Sequence, residues 1–153
     1  MAIYTITGND TLVLWNRVFT NFAEGEVTKI DFTDDIVKLK TGKNQNTIYS
    51  RNESGNNATL TLRLLRGTPD DRFMRSELAK TTGSSSFSKY ILGTGQFVKT
   101  LGDGLGNEIK DIYNLEGGMI TKIPSVTENV DGDINQGVTV YEIKFALAKP
   151  SIQ

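Results

Sequence analysis

The stretch "ATLTLRLLRGTPDDRFMRSELAK", residues 58–80, changes its period within four residues. Up to Leu64 it alternates, with Leu60, Leu62 and Leu64 on one side and Thr59, Thr61 and Arg63 on the other, as a half-buried strand requires. From Thr68 onward it is helical. Thr68 is a favourable N-cap and Pro69 suits the first helical position, while Asp70 and Asp71 stand in the first turn, where the helix dipole favours negative charge. Phe73, Met74 and Leu78 make an apolar stripe, and Asp71 and Arg75 are spaced i, i+4 for an ion pair. Lys80 and then Gly83 mark the end, so the pattern predicts a helix over 69–80. Its stripe is narrow, which places it against one side of a sheet.

Alternation continues on both sides of this corner. In "VTVYEIKFALA" (138–148) Tyr141, Ile143, Phe145 and Leu147 face one way, and Glu142 and Lys144 the other. Shorter runs are 3–7, 11–15, 26–32, 35–40, 89–101 and 119–123. Strands of this length punctuated by Gly, Asn and Asp predict a mainly β fold, an antiparallel β-sandwich or barrel with one α-helix packed on the outside. At 153 residues the chain makes one domain, 1–153.

Composition narrows the chemistry. The chain has no cysteine and no histidine, which removes disulfides, thiolate nucleophiles, Ser-His and Cys-His pairs and the commonest zinc ligands. The expectation is a non-enzyme without cofactor or metal. The net charge of −1 announces neither nucleic-acid nor membrane-surface binding. The charge is nonetheless segregated: residues 38–89 are basic, whereas 1–37 and 102–137 are acidic. No apolar run approaches the roughly 20 residues of a membrane span, and "MAIYTITGND" lacks the architecture of a signal peptide. Synthesis and folding in a cytoplasm, without membrane insertion, are expected.

Several motifs have plainer readings. "VDGDINQGVTVYE" puts Asp131, Asp133, Asn135 and Glu142 at positions 1, 3, 5 and 12 of a calcium loop, but Gln136 replaces the required glycine, and a hairpin turn explains the stretch better. "LGDGLGNEIKD" (101–111) lacks the lysine of a phosphate loop and reads as a mobile turn. Asp34 with Asp35, adjacent on a strand, would face opposite ways. The aromatics of the basic segment form no stacking motif for nucleic acid. "NRVFTNFAEGE" (16–26) reads as irregular, with exposed Phe19 and Phe22.

The arrangement of 50–80, a polar loop, the "ATLTLRLL" strand, a Thr-Pro break and an amphipathic helix, resembles the corresponding segment of bacteriophage tail tube proteins, especially those of contractile tails. The order of elements along most of the chain agrees with that family. The resemblance implies a structural subunit forming hexameric rings whose sheets join into a continuous inner barrel. The rings stack into a hollow conduit for DNA, which passes through without specific binding. It also implies sheath, tape-measure and baseplate proteins as partners, and a place in a virion tail assembled in a bacterial host. The tube of a contractile bacteriocin or secretion machine, and a baseplate or terminator ring protein, share this reading. The alternative from another class is a small β-sandwich binding module for glycan or protein, with Trp15, Tyr49 or the phenylalanines as a platform.

Residues 41–57 are too long for a hairpin connection, which usually takes about 2 to 5 residues. They read as a long projecting loop or hairpin, flexible in the isolated subunit and ordered on docking. Lys43 and Arg51 would supply charge, and Ile48 with Tyr49 an apolar anchor inside a polar rim. These four residues are the inter-ring interface candidates.

Overall fold

In a computed structural model, which describes residues 2–153, the chain is an antiparallel β protein with two helices. The strands are β1 (Thr5–Ile6), β2 (Thr11–Leu14), β3 (Arg17–Phe19), β4 (Thr28–Phe32), β5 (Val37–Thr41), β6 (Thr47–Arg51), β7 (Ala58–Leu65), β8 (Gly93–Gly102), β9 (Glu108–Lys122) and β10 (Val138–Ile152). Helix α1 is Pro69–Ala79 and α2 is Ser84–Ser88. Eight strands form one sheet in the order β3-β2-β8-β9-β10-β7-β4, with β1 added beside β8, while β5 and β6 pair only with each other.

The sheet is an open path rather than a closed barrel, but it curls. Beyond β4, residues 21–23 run along the remainder of β7: Asn21 O accepts from Leu65 N at 3.1 Å and Ala23 N donates to Arg63 O at 3.1 Å. One face is covered. Register pairs Tyr141 with Leu62 and Ile143 with Leu60, so these side chains share a side and pack with Leu12, Leu14, Leu115 and Met74 of α1 into one core. Leu60, Leu62 and Leu64 are buried as their alternation requires. The alternation of β10 slips near its middle, however. Leu147 is only half-buried and Ala148 is buried instead. The slip falls where Gly117 of β9, with a positive φ of 68°, lies beside Ala146.

The opening corner holds together differently from its sequence reading. Thr68 does cap α1, but the bond from Asp71 N to its hydroxyl is long, 3.5 Å. The two acids do more than complement a dipole. Asp70 is 1% exposed. Its Oδ1 accepts from Arg17 Nε at 3.0 Å and forms the ion pair with Nη2 at 2.9 Å, and its Oδ2 accepts from Thr20 N at 2.7 Å and Asn21 N at 2.8 Å. Asp71 accepts from Gly67 N at 2.8 Å and from the Tyr141 hydroxyl at 2.6 Å. Arg75 donates to that same hydroxyl at 3.1 Å, so the expected Asp71–Arg75 pair is replaced by a relay through Tyr141.

Burial, with the hydrogen bond to Asp71 next, keeps the Tyr141 hydroxyl protonated well above its ordinary 10.0. Burial, then the Glu77 carboxylate, pushes Tyr90 up to about 12. Raised in the folded state, these groups favour folding fully below the unfolded value near pH 10, and that contribution is lost as pH climbs through the folded values. Urea denaturation midpoints are therefore expected to fall steeply above about pH 10, and Tyr141→Phe to flatten part of that fall. A midpoint independent of pH across this range would contradict the assignment.

Candidate assembly surfaces at the two ends of the sheet

The ladder registers sort the connections onto two ends. Leu65 pairs with Val138, Gly93 with Gly118, and Leu14 with both Arg17 and Gly95. The β2–β3 turn, α1, α2 and the 123–137 segment between β9 and β10 therefore share one end, the helical end. Ala58 pairs with Phe32, Gly102 with both Thr5 and Glu108, and Ile152 with Asp111. The N-terminal strand, the β5–β6 hairpin and the β8–β9 turn belong to the other, the hairpin end.

Residues 41–57 are more ordered than their composition suggests. Thr47–Arg51 form a strand, with short 3-10 turns at Lys43–Gln45 and Glu53–Asn56 on either side. The structure separates Ile48 from Tyr49, because neighbours on a strand point to opposite faces. Tyr49 pairs with Leu39, and Val37 with Arg51, so Val37, Leu39, Tyr49 and Arg51 share a face, whereas Ile48 lies with Lys38 and Lys40 on the other. Lys43 sits in the turn at the tip. Both strands are exposed along their whole length, with Tyr49 at 70%. Arg51 reaches Glu53 at 3.3 Å with both side chains in water, a pair worth little.

The root of the hairpin is locked. Asn52 N donates to Ile36 O at 2.8 Å and Asn52 Nδ2 to Asp35 O at 2.8 Å. Gly55 is buried, and a Cβ there would lie 2.6 Å from Ile36 Cα. Gly55→Ala is expected to lower stability by roughly 1–3 kcal/mol through overpacking against backbone and to change the angle of the hairpin. A melting temperature equal to the parent's would contradict a fixed root.

At the helical end, residues 123–137 leave the sheet as an acidic strap carrying Glu128, Asp131 and Asp133. Asp133 accepts from Asn135 N at 3.0 Å, and Glu142 lies inside β10 opposite Thr61. Ile123, Val126 and Ile134 of the strap are exposed, and Val130 is 99% exposed. Both ends thus carry uncovered apolar residues next to charge, of opposite sign on hairpin and strap. The arginines of the β7–α1 corner are not free for such contacts. Arg66 donates to Gln136 O and Val138 O, and Arg72 to Gly67 O.

The other expected features redistribute. Phe19 is core, 2% exposed and edge-on to Phe73, and Phe22 is half-buried as a bridge to Leu64. Trp15 lies at the helical end and Tyr49 on the hairpin, so they do not form one platform. The 103–107 turn is ordered by Asp103, whose carboxylate accepts from Leu105 N, Asn107 N and Asn107 Nδ2. Those bonds, the one from Asn107 first, hold its carboxyl below the usual range. The bonds of Arg17 and Tyr141 left no local signal in the sequence, since their partners are distant in the chain. No helix among the described residues is long and apolar enough to cross a membrane.

The chain is similar to a chain in the sheath–tube complex of an extracellular contractile injection system, PVC, in the extended state, with a TM-score of 0.57 and 11% sequence identity over 94% of this chain and 87% of that one. The likeness spans nearly the whole of both chains and shows a shared fold. No protein-family model and no curated sequence matches the chain.

Proposed function

We propose that this chain is the structural subunit of a tail tube, in a contractile-tailed phage or a phage-like injection particle, and that it has no catalytic role. Hexameric rings of the subunit stack into a hollow conduit, with sheath, tape-measure and baseplate proteins as partners and DNA passing through the bore in a phage. The observation that carries this reading is the likeness over nearly the full length of both chains to a component of a sheath–tube complex. The distribution of uncovered surface supports it. An isolated domain gains nothing from an exposed two-strand hairpin at one end and an apolar, acidic strap at the other, whereas a stacked subunit covers both.

Stacking follows from that placement. Lys43 at the tip and Lys38 and Lys40 on one face of the hairpin meet Glu128, Asp131 and Asp133 on the strap of the next ring, while Tyr49 and Leu39, on the opposite face, are covered by another part of a neighbouring copy. Opposite potentials guide docking and fix register. At 1 M salt the Debye length is about 3 Å, so the rate of tube growth, followed by light scattering, is expected to fall as salt rises. A rate that is unchanged or faster would contradict electrostatic stacking, and a monomer at every concentration would contradict the tube.

A further inference from the structure

The helical end also holds a cleft of about 600 Å³ walled by Trp15, Phe73, Tyr90 and Leu92. Its construction is costly. Trp15 and Asn16 are the two residues of the β2–β3 connection, and both have positive φ, 49° and 60°. Asn or Gly usually fills such turns. A tryptophan persists in this backbone only where its surroundings over-determine it, as at ligand clamps. Here the indole lies against Gly93, where a Cβ would come within 2.4 Å of Trp15 Cε2. Trp15 Nε1 and the Tyr90 hydroxyl are both buried without a hydrogen-bond partner, a deficit that an oxygen acceptor removes once the cleft walls part to admit it. Ile91, 82% exposed, stands at the mouth. Lys80 and Lys89 line the rim, Lys80 held at 3.0 Å by Glu77, the acid that also lines the cleft.

The hairpin end carries a shape that matches. Leu105 is 84% exposed at the tip of the β8–β9 turn, which Asp103 ties into one conformation through Leu105 N at 2.7 Å and Asn107 N at 3.1 Å. Glu108 follows at the start of β9, and exposed Ile3 and Tyr4 lie beside the turn. The turn is thus apolar at its tip, anionic at its base and ordered before it meets anything, so little entropy is lost on docking.

We infer that the Leu105 turn of one copy inserts into the Trp15 cleft of the copy stacked on its hairpin end. Leu105 fills the apolar walls, the peptide carbonyls of the turn accept from Trp15 Nε1 and the Tyr90 hydroxyl, and Asp103 and Glu108 face Lys80 and Lys89. Cleft and turn lie on opposite ends, so the contact is head-to-tail and propagates along an axis instead of closing on itself. The inference rests on the tube reading and identifies the second contact, beside the hairpin, that holds one ring on the next.

Trp15 is the single tryptophan of the chain, so its fluorescence reports the cleft directly. Stacking of the parent protein is expected to shift that emission to the blue. Leu105→Glu and, on the receiving side, Ile91→Glu replace exposed residues and should leave circular dichroism and melting unchanged. Each is expected to weaken stacking roughly tenfold or more and to leave the emission of the unstacked subunit in place. Parent tubes with unshifted emission, or Leu105→Glu tubes of parental length, would overturn the inference while leaving the tube reading standing. A shift that survives in Leu105→Glu assigns the cleft to another segment and also overturns it. Absence of any parent stacking would overturn the tube reading itself, and this contact with it.

Discussion

Asp70→Ala is expected to lower the stability of the subunit by about 2–4 kcal/mol, below the roughly 3–5 kcal/mol of a fully buried ion pair, because Asp70 is buried but the Arg17 side chain is 36% exposed and keeps access to water. Four donor contacts converge on this carboxylate: the Nε and Nη2 of Arg17 and the backbone N–H groups of Thr20 and Asn21. Alanine satisfies none of them. The guanidinium of Arg17 also lies over the Phe73 ring at 5.3 Å, so losing its anchor loosens the seat of α1 on the sheet. In a domain of this size the effect corresponds to a melting point lower by roughly 4 to 16 °C, at about 2–4 °C per kcal/mol. Asp70→Asn, which keeps one acceptor, should lose less. A melting point within a degree or two of the parent's would show that the pair is solvated and the corner held by packing alone.

The second large effect concerns assembly. Replacing residues 38–50 with a short Gly-Ser link removes the hairpin but keeps Asn52 and Gly55, which lock its root. The hairpin contributes no residue to the core and no strand to the main sheet, so the shortened chain should fold with its strand content and melting point little changed. It is expected to stop at monomers or single rings, because the aromatic and aliphatic face of Leu39 and Tyr49 and the three lysines leave together. Sedimentation velocity separates the outcomes. Long tubes from the shortened chain would remove the hairpin from the stacking interface.

What could be read from the sequence depended on whether burial left a period in it. Leu60, Leu62 and Leu64 face a core on one side only, and their alternation located β7, the corner and α1 to within a residue of its C-terminal end. β6 left no such trace. Thr47–Arg51 are exposed on both faces, so nothing within one chain selects apolar residues at alternate positions. β3 is three residues, too short to show a period although Phe19 is buried, and α2's "SSSFS" carries neither stripe nor side-chain cap. Lys43, Ile48, Tyr49 and Arg51 were legible as exposed residues of a polar segment. Which of them share a face was not legible, because that depends on the pairing of Tyr49 with Leu39. Arg17 and Tyr141 show a further limit. Their bonds to Asp70 and Asp71 cross 53 and 70 residues of chain, and local spacing pointed to Arg75 instead.

Electron microscopy of the purified protein in negative stain, at low salt and increasing concentration, tests the central claim most directly. The account predicts hexameric rings that lengthen into hollow tubes of uniform diameter as concentration rises. Monodisperse single subunits at the highest concentration reached would contradict it.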